Sequence, residues 1–310
     1  MTKYDTIIIG GGPAGLTAGI YAMRSRLNTV LLEKFMPGGQ MAIIDFVENY
    51  PGFPGGIGGL DVSTAMEQQA RSLGLEITST EVLSVGLMEE EKVVYTADGE
   101  YRAPTVILAT GANPRRLGVP GEDRLIGKGV SYCATCDGAF FRDKEIAVVG
   151  GGNTAVQDGV FLTRFAGKVT VIHRRNQLRA TKILQERVFK NPKMEVAWDS
   201  IVVEVRGDHK VESLLLENVR DGSRRELPVD GVFILVGTDP NTAFVRDQVV
   251  LDPAGYIITD EDMQTNVPGV FAAGDCRRKI LRQMITAAAD GAIAAVSAER
   301  YIESLQDRTL

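Results

Sequence analysis

An α/β fold with two parallel-sheet domains, the second inserted in the first, is what this sequence predicts, and three observations carry the prediction. Two glycine-rich turns, Gly10-Gly11-Gly12-Pro13-Ala14-Gly15 and Gly150-Gly151-Gly152-Asn153-Thr154-Ala155, begin 140 residues apart, each between an apolar strand and a helical segment. Both halves then repeat one later order: hairpin signals, an apolar strand ending at glycine, and a proline turn. At 310 residues the chain exceeds one ordinary core, and its size favours two domains.

In the first half, strand Thr6–Ile9, the glycine turn, helix Ala14–Ser25 and strand Thr29–Leu32 read as a βαβ unit. Lys92–Ala97 and Glu100–Arg102 flank Asp98-Gly99 as a hairpin, and Val106–Ala109 returns to the sheet before Thr110-Gly111. The second half repeats this with strand Ile146–Val149, helix Thr154–Phe165 and strand Val169–Ile172. Leu214–Val219 and Ser223–Leu227 flank Asp221-Gly222, and Val232–Val236 ends at Gly237. Ala112-Asn113-Pro114 and Thr238-Asp239-Pro240-Asn241 read as paired linkers. They delimit an inserted domain of residues 114–241 within a discontinuous domain of residues 1–113 and 242–310. The tail rejoins the first domain through strand Val270–Ala273 and helix Met284–Glu299. Each half is thus expected to be a Rossmann-like dinucleotide-binding domain with three-layer ββα architecture.

Hydrophobic content of 44% and charged content of 24% are those of a soluble globular protein. A net charge of −6 argues against nucleic-acid binding, which selects basic surfaces. No apolar run approaches the roughly 20 residues that cross a bilayer. Met1-Thr2-Lys3-Tyr4-Asp5 leads straight into the first strand without the pattern of a signal peptide. These features point to a cytoplasmic protein without membrane or nucleic-acid partners. Three cysteines, two of them in Cys133-Ala134-Thr135-Cys136, do not make a secreted disulfide framework.

The glycine turns suit phosphate. Gly10 makes the tight turn, Gly12 admits a pyrophosphate to the backbone, and Gly15 lets the helix pack on the sheet, while the helix N-terminus supplies unpaired N–H groups. Glu33 stands 18 residues beyond Gly15, where a carboxylate accepts from an unphosphorylated adenosine ribose. In the second turn Gly150 and Gly152 hold the first two positions and Ala155 the third. The position equivalent to Glu33 is His173, followed by Arg174 and Arg175, with Arg179 a helical turn further on. Guanidinium groups bind phosphate through bidentate charge-assisted bonds, so a cationic cluster here favours NADPH over NADH. A glycine turn without ligand and a solvated basic strand end are the plain structural alternatives.

Cys133 and Cys136 are spaced to meet at the start of a helix, whose N-terminus lowers thiol pKa. Asp137 is the right kind of group to exchange a proton with a leaving thiolate. Half a zinc site, with Cys276, His173 and His209 as the remaining ligand types, or two inert core cysteines, stay as alternatives. No metal is expected. Cys276 has no near partner in sequence and reads as a buried spectator. Two dinucleotide loops and a dithiol together suggest a relay that passes two electrons between cofactors and then to sulfur.

Over essentially its whole length the chain resembles the bacterial-type, low-molecular-weight thioredoxin reductases, which are class II pyridine nucleotide-disulfide oxidoreductases. The matching residues are Gly10–Gly15, Gly38-Gly39-Gln40, Glu48-Asn49-Tyr50-Pro51-Gly52, Ala109-Thr110-Gly111, Cys133–Asp137, Gly150–Ala155, His173-Arg174-Arg175 with Arg179, Gly274-Asp275 and Arg282-Gln283. The resemblance implies FAD in the first domain, held by Gly10, Gly12, Pro13, Ala14, Gly15, Glu33, Lys34, Gly39, Gln40, Asn49, Val82, Thr110 and Gly111. Gly274 and Asp275 would bind the ribityl chain, and Arg282, Gln283 and Met284 would open a helix aimed at the flavin pyrimidine edge. It implies NADPH on Gly150, Gly152, Asn153, Thr154, Ala155, His173, Arg174, Arg175, Arg179 and Gly237. Cys136 would face the flavin, Cys133 would attack the thioredoxin disulfide, and Asp137 would be the general acid. The family further implies a homodimer, and a rotation of the inserted domain that brings nicotinamide and dithiol to one flavin in turn.

Asn153 and Thr154 stand where that family commonly carries Asp and Ser, and Ala289 where glycine is common. Asn for Asp removes a negative charge near the nicotinamide or its ribose. Rival readings are a flavin dithiol reductase for a peroxiredoxin- or glutaredoxin-like acceptor, a non-catalytic nucleotide-bound redox sensor, and a transhydrogenase-like flavoprotein that ignores its cysteines.

Overall fold

Short runs of aliphatic residues buried on both faces set the layers of this protein, because such strands stand only between two covering layers. The computed structural model describes residues 4–44, 47 and 49–307. The chain forms β1 (Thr6–Ile9), α1 (Pro13–Arg24), β2 (Thr29–Glu33), α2 (Gly59–Ser72) and β3 (Glu76–Ser79). A meander of β4 (Val82–Gly86), β5 (Lys92–Thr96) and β6 (Gly99–Ala103) precedes β7 (Thr105–Leu108) and the connecting strand β8 (Ala112–Pro114). Next come β9 (Val130–Ser131), α3 (Ala134–Asp137), β10 (Glu145–Val149), α4 (Asn153–Leu162), β11 (Lys168–Ile172), α5 (Lys182–Lys190) and β12 (Met194–Ala197). A second meander, β13 (Ser200–Arg206), β14 (Ser213–Asn218) and β15 (Arg224–Pro228), leads to β16 (Gly231–Ile234). The chain ends through β17 (Thr238–Pro240), β18 (Val270–Ala272) and α6 (Met284–Asp307).

Two compact units result: Met1–Asn113 with Asp239–Leu310, and Pro114–Thr238. The second boundary falls at Thr238, where the sequence places it at 241, because β17 pairs with β8 and makes the connections a two-stranded ribbon. In the first unit a parallel sheet runs β18-β7-β1-β2-β3, with Ile8 opposite Leu31 and Ile107. Successive residues sort to opposite faces, as the period of a strand requires. Ile7, Ile9, Val30, Leu32, Val106 and Leu108 pack with Val85, Leu87 and Val94 of the β4–β5–β6 segment. Ile8, Leu31, Ile107 and Phe271 pack instead on α1, α6 and Ala70 of α2. The result is the expected ββα sandwich.

The second unit repeats it with a parallel sheet in the order β12-β11-β10-β16-β9. Ala147, Val149, Val232 and Ile234 face the β13–β14–β15 meander, and Ile146, Val148 and Phe233 face α4. Both hairpin turns lie where Asp98-Gly99 and Asp221-Gly222 place them. Helix α4 stops at Leu162, short of the expected Phe165, because the following N–H groups turn to i−3 carbonyls. Helix α6 runs eight residues past the expected Glu299, keeping an apolar stripe through Ile302.

Helices α1 and α6 approach through small side chains. Ala14, Ala18 and Ala22 meet Ala287, Ala294 and Ala298, and a Cβ on Gly291 would run into the Ala14 carbonyl oxygen. Gly291→Ala gains about 1 kcal/mol of helix propensity. Overpacking against backbone outweighs it, and we expect a net loss of about 1–3 kcal/mol. Urea unfolding of the variant beside the parent checks this.

Candidate functional site

Both glycine turns sit at the carboxyl end of the central strand of their sheet, the position at which open α/β sheets receive ligands. Gly10 has φ 104°, and a Cβ there would strike the Ala109 carbonyl, so the β1–α1 turn admits only glycine. Gly12 is the N-cap of α1 with extended backbone, and Pro13 occupies the first turn, where its missing N–H costs nothing. A Cβ built on Gly12 would meet no protein atom within 4 Å. Packing among the described residues does not require glycine there.

Glu33 closes β2. One carboxylate oxygen accepts from Gly11 N–H at 2.6 Å and the other from Phe35 N–H at 3.0 Å, so it braces the glycine turn. Lys34 pairs with Glu81 at 2.7 Å on the surface, and Val82 opens β4 opposite Thr96. The Gly38-Gly39 turn is tied over the first loop by Gly38 N–H to Gly11 O, 2.7 Å. Gln40 donates to Asn113 at 2.8 Å, Asn113 to Asn241 at 3.1 Å, and Asn241 to the Thr110 carbonyl at 2.9 Å. With Asn241 N–H bonded to Gly111 O, an amide chain ties Gln40 and Thr110-Gly111 to the root of both connecting strands. Asn49 donates to Gln283 at 3.0 Å. Glu48 lies outside the described residues.

Gly274-Asp275 follows β18, with the Gly274 N–H donating to Asp290 Oδ2 at 3.0 Å. Asp290 also takes Arg277 through two bonds, 2.9 and 3.0 Å, and Lys279 at 2.7 Å. Burial opposes its ionisation, but those cations outweigh burial and hold its carboxyl below the usual range. Asp275 is the reverse case. Among the described residues its buried Oδ1 has no partner, and burial pushes its carboxyl up despite Lys279 and Arg282 nearby. Arg282 stacks 4.0 Å from the Tyr256 ring centroid, and among the described residues its buried Nε has no partner. Met284 then begins α6. A buried acceptor and a buried donor left open, beside an uncovered glycine cradle, fit a dinucleotide whose hydroxyls and polar ring edge would satisfy them.

In the second unit Gly150 has φ 147°, and Ala155 fills the third position with its methyl against the turn. A Cβ on Gly152, the N-cap of α4, would again meet nothing within 4 Å. His173 departs from the sequence reading. It is 5% exposed, its ring packs on Gly151, and its Nε2 lies 3.1 Å from the Gln177 carbonyl. Burial first, then the flanking arginines, push its pKa down, so it is a neutral support under the loop and not part of the cationic cluster. Arg174, Arg175 and Arg179 are exposed. Among the described residues none of their side chains has a hydrogen bond or ion pair. The Arg179 backbone N–H is tied to Gly151 O at 2.7 Å. Asn153 Oδ1 accepts from Thr181 N–H at 2.9 Å, Thr154 is exposed, and Gly237 follows β16 with its carbonyl bonded to Arg115 N–H.

Cys133 and Cys136 form a disulfide, with Cα atoms 5.3 Å apart, which removes the zinc-half-site and inert-core readings. Cys133 is the N-cap of α3, but α3 is one turn, Ala134–Asp137, continued by a 3₁₀ turn over Gly138–Phe141. The macrodipole invoked for the thiolate is therefore weak, and local side chains must do that work. Ser131 Oγ lies 2.6 Å from Asp137 Oδ2 and accepts from Cys133 N–H at 3.1 Å. Tyr132 donates to Glu122 at 2.7 Å, and buried Glu122 also takes the N–H groups of Leu117 and Gly118. Cys276 is fully buried with a free thiol donating to Leu108 O and Ala273 O, and burial pushes its pKa up.

Sequence reading missed Ser131, Glu122 and the Asp290 network. Only Asp290 carried a signal, as a lone charge in the small-residue run Ala287-Ala288-Ala289-Asp290-Gly291. Among the described residues no helix is long and apolar enough to cross a membrane.

Residues 4–291 match the profile of the pyridine nucleotide-disulphide oxidoreductase family. A thioredoxin reductase of Peptoclostridium litorale is 49% identical over 308 residues, 97% of this chain and 98% of that one. One from Listeria innocua is 49% identical over 305 residues, covering 98% and 95%. The crystal structure of thioredoxin reductase from Streptococcus pyogenes superposes with a TM-score of 0.93 at 49% identity, covering 97% of this chain and 99% of that chain. With paired glycine loops and a Cys133–Cys136 disulfide on the matching fold, the chain belongs to the pyridine nucleotide-disulphide oxidoreductase family and, within it, to the bacterial-type thioredoxin reductases.

Proposed function

We propose that residues 1–113 with 239–310 hold FAD, that residues 114–238 hold NADPH, and that the Cys133–Cys136 pair passes the electrons on to thioredoxin. The observation that carries the reading is the dithiol in its oxidised form, on the same unit as a glycine cradle rimmed by unpaired arginines. FAD, when bound, supplies the two-electron carrier between pyridine nucleotide and sulfur.

The chain's own part is to bind, orient and move protons. Gly10–Gly15 and the N-terminus of α1 receive the pyrophosphate, and Glu33 the adenosine ribose, with Lys34 and Val82 on that side. Gly39, Gln40, Asn49, Thr110 and Gly111 line the far portion. Asp275 meets the ribityl hydroxyls, and Arg282, Gln283 and Met284 face the pyrimidine edge. In the second unit Gly150, Gly152 and Ala155 hold the pyrophosphate, and Arg174, Arg175 and Arg179 the 2′-phosphate. Asn153, Thr154 and Gly237 lie beside them, and His173 holds the loop from below. Asp137 delivers a proton to a thiolate released when the disulfide opens. Because coenzyme loop and dithiol share residues 114–238, that unit must present each in turn, pivoting on β8 and β17. The names of the relatives support thioredoxin as acceptor. A homodimer and a cytoplasmic location complete the reading. The intact disulfide with Asp137 favours turnover over a binding-only sensor.

Adding NADPH to purified, flavin-loaded protein should bleach the flavin absorbance within seconds. Cys136→Ser should keep that bleaching and lose thioredoxin reduction. A colourless preparation that flavin cannot reconstitute overturns the proposal. Arg174→Ala and Arg175→Ala should each weaken NADPH binding about 10- to 100-fold, the worth of a charged hydrogen bond, and leave NADH unchanged in the same titration. Gly12→Ala and Gly152→Ala, where a Cβ has room, should hold stability within about 1 kcal/mol. Calorimetric titration should show Gly12→Ala losing FAD and Gly152→Ala losing NADPH.

A further inference from the structure

We propose that Ser131 is a positioning residue for proton transfer at the dithiol, its hydroxyl holding the Asp137 carboxyl against the Cys133 backbone in both protonation states of Asp137. The inference rests on the general-acid reading of Asp137 given above. Ser131 is 4% exposed and is fixed at the end of β9 by its register with Phe233 of β16, so the hydroxyl stays at the dithiol. Its Oγ is 2.6 Å from Asp137 Oδ2, 3.1 Å from Cys133 N and 3.3 Å from Cys133 O.

A hydroxyl has one hydrogen and two lone pairs. The Cys133 N–H donates into one lone pair throughout. While Asp137 is ionised, the Ser131 hydrogen goes to its carboxylate in a short, charge-assisted bond. Once Asp137 is protonated, the carboxyl donates to the second lone pair of Oγ, and the Ser131 hydrogen turns to the Cys133 carbonyl. The heavy atoms keep their places in both states; only hydrogens move.

Opening the Cys133–Cys136 bond takes one electron pair, supplied by the reduced flavin, and leaves two thiolates. The Asp137 carboxyl turns its one hydrogen from Ser131 Oγ to a thiolate, gives up that proton and becomes a carboxylate, and solvent later restores it. As the charge appears on Asp137, the Ser131 hydrogen swings from Cys133 O to Asp137 Oδ2. The Ser131 oxygen already stands 2.6 Å from Asp137 Oδ2, so only a hydrogen has to turn. β9, α3, the Gly138–Phe141 turn, α4 and β16 contain no Lys, Arg or His. Those elements carry Asp158 and, once the disulfide opens, the thiolates of Cys133 and Cys136. Asp158 lies one turn before Leu162, on the α4 face that packs on Gly138.

The test measures kcat and kcat/KM for thioredoxin against pH in flavin-loaded Ser131→Ala, Asp137→Asn and the double variant, with thermal midpoints to confirm folding. Ser131→Ala should lower kcat about tenfold, a fraction of what a general acid contributes, with little change in KM. Its basic limb should move to higher pH, because the lost donor had favoured the ionised carboxyl. In the Asp137→Asn background the same change should cost less than about twofold, since Ser131 acts through Asp137. Ser131→Thr, which keeps the hydroxyl, should keep the limb. A parental limb and rate in Ser131→Ala, a full tenfold loss in the Asp137→Asn background, or a shifted limb in Ser131→Thr each overturns the proposal. Asp137→Asn with parental rate and limb would instead remove the general-acid reading on which it stands.

Discussion

Burial of the parallel strands on both faces is the constraint from which the rest of this molecule follows. Ile7 and Ile8, or Val148 and Val149, are neighbours in sequence but belong to different cores. Neither face of either sheet can then carry polar chemistry without the cost of burying it. Function is driven to the carboxyl ends of the strands. Gly10, Glu33, Thr110 and Gly274 gather there in one unit, and Gly150, His173 and Gly237 in the other. Apolar layers thus decide where the chemistry sits before any site residue is chosen.

The same scaffold is tuned differently in its two copies. Glu33 and His173 occupy equivalent strand ends, and each packs against the middle glycine of its loop. Glu33 braces Gly11 through an ionic hydrogen bond, whereas His173 supports Gly151 by ring contact. The Glu33 carboxyl thus braces its loop with one oxygen and takes the Phe35 N–H with the other. The His173 ring is buried, and the exposed side chains at this strand end are those of Arg174, Arg175 and Arg179. The change of one support residue rebalances the electrostatics of the whole loop without moving a strand.

What could be read from sequence was what repeats at fixed spacing. Glycine turns, Asp-Gly hairpins and aliphatic strands each demand particular residues at particular intervals, and β1, β10, β5–β6 and β14–β15 stand close to where those intervals place them. The linkers were legible because proline and asparagine punctuate them. Contacts made at a distance were not legible. His173 looked cationic beside two arginines because burial is not written in a tripeptide. Glu122 reaches Tyr132 across ten residues, and nothing near it in sequence marks it as a hub. The Cys-x-x-Cys spacing places the dithiol at the start of a helix, yet that helix gives way to a 3₁₀ turn after four residues.

Asp275 and Asp290 show how a structural charge differs from one held for a ligand. Both are buried acids in the same corner of the first unit, and both lie near Lys279. Asp290 collects a backbone N–H, a two-point arginine and a lysine, and its carboxyl is held ionised as a bolt between α6 and the loop after β18. The loop it fixes carries Asp275, whose Oδ1 has no partner among the described residues. A buried acceptor left open costs about 1–3 kcal/mol, and a chain that could have closed it cheaply with one serine or one amide has not. Saturating one acid so that its neighbour can remain unsaturated at a fixed place is costly for folding alone. Under the proposed FAD site a hydroxyl-bearing ligand would return the missing bonds, and the stability of this corner and the retention of that ligand would be one free energy.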